Sequence, residues 1–215
     1  MKFKYVIPTI EYKDKAIDYI KEFIEYKSDI NGSGGLDRYL DNYEGWLEYR
    51  EESRNHPITD TRVPGEEYFM VNEDDEIIGM CNIRFALNDK LKKLGGHIGY
   101  SIRPTKRGNG YNKINLYLAL KECDKHGINV VFMDADLNNP ASWKTMEALG
   151  GVRVKEWYDD ERYKTTIVDY NINVKESLEK YKEEYEKYLI KGMVIWKEDL
   201  RLNMMINPAN IIKRE

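Results

Sequence analysis

Cysteine is scarce in this chain. Among 215 residues there are two, Cys81 and Cys123, and both fall in stretches that read as strand and helix. They read as small, reduced core residues of a cytoplasmic protein. The sequence has no CxxC pair, no HExxH run and no close cluster of its three histidines with the cysteines, so no structural or catalytic metal is expected. No apolar run approaches eighteen residues, which excludes a membrane-spanning helix. The start, MKFKYVIPTIEYKDK, lacks the apolar centre of a signal peptide. Excess positive charge is missing too: 34 Lys and Arg stand against 38 Asp and Glu. A net charge of -4 argues against general nucleic-acid binding, which needs a basic field. There is no internal repeat and no long low-complexity linker. Asn31-Gly32-Ser33 matches a glycosylation sequon, but without an export signal it reads as a loop.

What is present suffices for a core: 41% of residues are hydrophobic and 12% aromatic. KYVIP suggests a strand near residues 4–8. Ile10, Ala16, Ile17, Ile20, Phe23 and Ile24 recur at helical spacing over 10–27. NGSGG breaks that helix, and Leu36, Tyr39, Leu40, Tyr43, Trp46 and Leu47 resume the period. EYFMVN, IIGMCNIRFAL and HIGYSIR read as three strands. A helix over about 109–126 ends at Gly127. INVVFMDAD has the length of a buried strand, NPASWKTMEALGG that of a short helix, and residues 152–174 form a hairpin. The order predicts one α+β domain over 1–174, a mixed, mostly antiparallel sheet flanked by helices. Residues 175–215 form a helical C-terminal extension. Its stripe of Leu178, Tyr181, Tyr185, Tyr188 and Leu189 predicts packing on the domain or on a second copy as a homodimer; GMVIW at 192–196 offers a further contact.

The turn RPTKRGNGYN, 103–112, lies between a strand and a helix and holds two glycines and three cations. It lacks the Lys-Ser/Thr of a P-loop and the third glycine of a dinucleotide fingerprint. Glycines admit close backbone approach, and free N–H groups at a helix start favour phosphate. Arg103, Lys106 and Arg107 would add charge.

Arg107, Gly108, Asn109, Gly110 and Tyr111 resemble the first five places of the pyrophosphate-binding motif of the GCN5-related N-acetyltransferases, Arg/Gln-x-x-Gly-x-Gly/Ala; Asn112 stands at the sixth, where the family has Gly or Ala. NNPASWKTMEALGG is similar to that family's second stretch, with Asn139 and Ser142 at ligand-contacting places and Gly151 where Phe is usual. The resemblance spans about residues 4–174. It implies acetyl-CoA as co-substrate and direct attack by an amine without an acyl-enzyme. It implies cofactor contacts from Ser101, Ile102 and Arg103 main chain, from Arg107, Gly108, Asn109, Gly110, Tyr111 and Asn112, and from Asn139 and Ser142.

Two general bases are candidates. His97, at the start of a strand, has the side chain best matched to neutral pH. Glu67 is the rival, as a carboxylate acting through water. The tyrosine that often donates a proton in this family is replaced here by Met146; Tyr100 and Tyr111 are positional alternatives. Asp37, Asp41, Glu44 and Glu48 lie among aromatics on the second helix, either as a cation-attracting surface or as its solvated face. The expected function is N-acetyl transfer to a primary amine of a small molecule or peptide. The alternative is a non-catalytic acyl-CoA sensor or interaction module.

Overall fold

The computed structural model describes residues 1–191. The expected contact from 192–196 lies outside the described residues. In chain order the elements are β1 (Phe3–Val6), α1 (Lys13–Glu25), α2 (Tyr43–Arg54), β2 (Gly65–Asn72), β3 (Ile77–Arg84), α3 (Asp89–Lys93), β4 (Ile98–Ile102), α4 (Tyr111–Lys125), β5 (Val130–Asp136), α5 (Pro140–Ala148), β6 (Val152–Asp159), β7 (Thr165–Asn173), α6 (Val174–Lys180) and α7 (Lys182–Tyr185). No helix among the described residues is long and apolar enough to cross a membrane.

Two antiparallel sheets form, β1-β2-β3-β4 and β5-β7-β6. Alternation along β2 serves two cores. Tyr68 and Met70 join the larger one under α4, while Phe69 and Val71 pack with Tyr19, Phe23, Tyr43 and Trp46 of α1 and α2. Buried on both faces, β2 carries apolar residues from Tyr68 to Val71 without a break. Asn115, buried in α4, ties the helix to the sheet: its amide donates to Ser101 O at 3.3 Å, and its Oδ1 accepts from Tyr5 Oη at 2.6 Å.

Main-chain bonds join the sheets at the entrance to β4. His97 N donates to Phe132 O at 2.8 Å, and Phe132 N donates to His97 Nδ1 at 3.0 Å. Beyond it, β4 and β5 share no ladder.

Three expectations change. Residues 36–47 do not form one helix: Leu36–Arg38 is a separate single turn, and α2 starts after Asn42, whose Oδ1 accepts from Gly45 N at 3.1 Å. The short helix α3, capped by Asn88, was not foreseen. The described part of the extension, up to residue 191, is not one helix but α6, α7 and a tight turn at Glu186–Tyr188. Its stripe packs on its own domain: Tyr185 is buried and stacks on Tyr117 at 5.3 Å, and Ile190 N donates to Phe3 O at 2.8 Å.

Candidate active site

The 103–112 turn is built to leave donors free. Gly110 precedes α4 with φ 75°, and Gly108 has φ 80°, a conformation that glycine adopts without strain. No side chain caps the helix. A Cβ on either glycine would meet nothing within 4 Å, so the space in front of the first turn is open. A 15-residue helix adds the positive end of its dipole. This cradle fits a pyrophosphate.

The three cations of the turn, however, face elsewhere. Arg103 pairs with Asp18 at 2.6 Å and Glu22 at 3.3 Å, and Lys106 pairs with Glu76 at 3.0 Å. The Arg107 guanidinium donates to Ile102 O at 3.1 Å and Ser28 Oγ at 2.8 Å, and lies 5.2 Å over the Phe23 ring. Arg107 thus braces the turn, and the cradle is made of backbone. Asn109 folds back on Lys106 O at 3.0 Å. Tyr111 turns its ring to Phe3. Asn112 faces α5, donating to Thr145 Oγ1 at 3.4 Å, and its buried Oδ1 has no partner.

Main-chain direction divides the three expected residues of β4. Arg84 N donates to His97 O and Arg103 N donates to Ile78 O. By alternation, the main-chain groups of Ser101 and Arg103 face β3, while those of Tyr100 and Ile102 face the gap between β4 and β5. Ser101 Oγ contacts Tyr19 Oη at 3.0 Å on the α1 face. Across the gap, Asn139 Oδ1 caps α5 by accepting from Ser142 N, and Tyr100 Oη lies 3.2 Å from both Ser142 O and Ser142 Oγ. Burial raises the Tyr100 pKa. Met146 is a core residue.

The two base candidates have different surroundings. His97 Nδ1 accepts from the Phe132 amide, so the neutral ring carries its proton on Nε2; burial lowers its pKa. It clamps the point where the sheets meet. Glu67 lies on the α1–α2 face, fully buried, opposite Asn82, which lies opposite Gly99 of β4. The row leads from the carboxyl to the gap across two strand spacings of roughly 4.8 Å each. Asn82 Nδ2 donates to Glu67 Oε2 at 3.1 Å, whereas Oε1 has no partner. Burial pushes the Glu67 pKa up to about 8, against the opposing pull of Arg50 and the Asn82 bond.

The loop between α1 and α2 lies over this row. A Cβ on Gly34 would come within 2.4 Å of Glu67 Oε2, and one on Gly32 within 2.7 Å of Gly99 O. Of the acidic residues read onto the second helix, Glu44 pairs with Lys13, Asp37 accepts from Ser33, and Asp41 and Glu48 are exposed.

Arg50, Asn82, Arg84 and Gly99 also belong to this site and were not foreseen. Arg50 left one trace in the sequence, a cation in step with Tyr43 and Trp46 on the buried face of α2.

Comparison with known proteins agrees with this geometry. The model of the acetyltransferase (GNAT) family matches residues 35–151, more than half of the chain. No curated protein matches the chain. Among solved structures, a spermidine N-acetyltransferase chimera from Vibrio cholerae and hSSAT has a TM-score of 0.58 at 10% identity, covering 83% of this chain and 99% of its own. The ribosomal-protein-S5-alanine acetyltransferase of Vibrio fischeri has a TM-score of 0.59 at 13% identity, covering 80% and 94%. An N-acetyltransferase of Staphylococcus aureus has 0.53 at 14% identity, covering 81% and 99%. At these identities the structural likeness speaks for the fold. The family model, the uncapped start of α4 and the gap between β4 and β5 coincide: this chain belongs to the GNAT acetyltransferase family.

Proposed function

We propose that the protein is an acetyl-CoA-dependent N-acetyltransferase that acylates a primary amine of a small molecule or peptide by direct attack, with Glu67 as general base. Acetyl-CoA, when bound, supplies the thioester. The free N–H groups at 108–112 and the start of α4 hold its pyrophosphate, and the main chain of Tyr100 and Ile102 holds the arm that enters the gap. Glu67 takes the proton that the acceptor ammonium must lose, directly or through one water. Asn82 keeps the carboxyl turned along the row toward Gly99. Tyr100, whose hydroxyl stands between β4 and α5, is the donor assigned to the leaving thiolate. A general base in such a position contributes about 10²–10⁴-fold.

The observation that carries this reading is the buried Glu67 carboxyl, with one oxygen unpartnered and its pKa raised to about 8, on the row that ends at β4. A carboxyl tuned toward neutral pH suits proton abstraction far better than one of ordinary pKa. Closure of the Gly32–Gly35 loop over Glu67 supports a second reading, a protein that binds acyl-CoA without turnover. Release of free thiol from acetyl-CoA with pooled amines decides between them. Thiol release that requires amine supports transfer, and binding without release supports the sensor.

A further inference from the structure

Arg50 projects from the buried stripe of α2 formed by Tyr43, Trp46 and Ser53, and it is 9% exposed. Its neighbours of like charge all have partners. Arg54 pairs with Glu66, Arg62 donates to Tyr49 O and Ser53 Oγ, and Arg84 donates to Gly95 O and Gly96 O. The Arg50 Nε is buried with no hydrogen-bond partner among the described residues, and no carboxylate there lies within ion-pair distance of the guanidinium. It lies 5.8 Å from the centre of the Tyr49 ring. An unpaired buried guanidinium is costly unless something completes it.

Glu67 does not complete it. The two side chains flank the same point beside Gly34: a Cβ there would lie 2.4 Å from Glu67 Oε2 and 3.2 Å from Arg50 Cδ. Yet Glu67 directs one oxygen to Asn82 and leaves the other bare, and its carboxyl favours the neutral form near pH 7. Arg84, whose pKa is lowered first by burial and further by the nearby Arg50, adds a second positive charge to the same face. The region therefore holds buried positive charge and an acid that becomes a base as pH rises toward 8. The phosphates of a coenzyme do not satisfy it: Arg50 sits on α2, which packs on β2, whereas the phosphate cradle begins α4, after β4.

We infer that the acceptor carries a carboxylate as well as its amine, and that Arg50 is the residue that holds the carboxylate while the amine faces Glu67. The acceptor class is a small amino acid, rather than a polyamine with cations alone. This rests on the transfer reading above. A guanidinium forks onto a carboxylate through two parallel bonds, which sets the amine's position as well as its affinity. The Gly32–Gly35 loop must lift to admit the molecule and then settle over it.

The test uses the full chain with acetyl-CoA and the twenty L-amino acids, each beside its carboxamide, with putrescine as the cation-only comparison. Thiol release and thermal stabilisation by each compound in the presence of coenzyme A are both recorded, for the wild type, Arg50→Lys and Arg50→Met. For at least one amino acid, the wild type should favour the free carboxylate over the carboxamide by about ten- to a hundredfold in kcat/KM, the range of a charge-assisted contact. Arg50→Met should bring that ratio close to one, and Arg50→Lys should leave part of it. If putrescine or the carboxamides are preferred, or the ratio survives in Arg50→Met, the inference is overturned. A change confined to the pH profile would also overturn it, by making Arg50 only a tuner of Glu67. Carboxylate-dependent stabilisation that is lost in Arg50→Met, without thiol release from any compound, would keep the carboxylate contact at Arg50 but sink the transfer reading and, with it, the molecule's role as acceptor. Absence of both signals overturns the inference itself.

Discussion

Glu67 and Asn82 lie directly opposite each other on β2 and β3, and the Asn82 amide donates to Glu67 Oε2 at 3.1 Å. The same row continues to Gly99 of β4, where the Gly32 backbone and the Arg84 guanidinium lie over the strand. A buried acid held by a single amide, with Arg50, Arg84, Glu66 and Tyr43 around it, carries the chemistry proposed for this fold.

The nucleotide cradle should depend on backbone more than on cations. Gly110→Ala forces a side chain into φ 75°, a strain of about 1–3 kcal/mol that shifts the first turn of α4. We expect coenzyme A affinity to fall by roughly ten- to a hundredfold. Lys106→Ala, which removes a cation already paired with Glu76, should change affinity by less than about threefold at physiological salt. Arg107→Ala should fall between them and should also lower stability, because its guanidinium braces Ile102 O and Ser28. Isothermal calorimetry on the three variants ranks them; equal losses for Lys106 and Gly110 would refute the backbone cradle.

Most of the element order was legible. The period of α1, the glycines flanking α4 and the apolar run of β5 are local signals, and local signals survive folding. The charges of the 103–112 turn misled for the opposite reason. The partners of Arg103 and Lys106, namely Asp18, Glu22 and Glu76, come from α1 and the β2–β3 turn, and nothing in the spacing of the turn announces them. Residues 175–191 carry a continuous helical pattern without Gly or Pro, yet the helix breaks at Tyr181 as Tyr185 and Leu189 enter the core. Tertiary burial overrode propensity there. Glu67 could be singled out as a carboxylate near a strand start, but its burial and the unpartnered Arg50 exist only once α2 lies on β2.

The extension is structural. Tyr185→Ala removes a buried ring that stacks on Tyr117. A loss of about 3 kcal/mol should lower Tm by roughly 6–12 °C for a chain of this size. An unchanged melting temperature would show that α7 is only a tail.

His97 and Glu67 should separate cleanly. His97→Ala leaves the Phe132 amide without its acceptor and should cost about 1–3 kcal/mol of stability. The shape of the pH–rate profile should hold. If His97→Ala instead erases the rising limb, the base has been misassigned.

Glu67 also leaves a mark on stability. Its pKa in the fold lies above its unfolded value near 4.3, so the native state holds the proton more tightly. That contribution is fully present below about pH 4 and is lost as pH rises through about 8. Glu67→Gln, which cannot ionise, should therefore gain stability relative to the wild type as pH rises from about 5 to about 8, by up to about 1.4 kcal/mol per unit. Urea denaturation across that range checks the sign; a Glu67→Gln protein that loses stability relative to the wild type as pH rises contradicts it.

The most direct measurement is the pH dependence of kcat/KM for acetyl transfer in the wild type and in Glu67→Gln, with the same amine and saturating acetyl-CoA. In the wild type a limb that rises with pH through an apparent pKa near 8 is expected. In Glu67→Gln the rate should be lower by about a hundredfold, with only the titration of the free amine remaining, and unchanged coenzyme A affinity. A Glu67→Gln enzyme that keeps the wild-type rate and the same limb would contradict the assignment of Glu67 as the base.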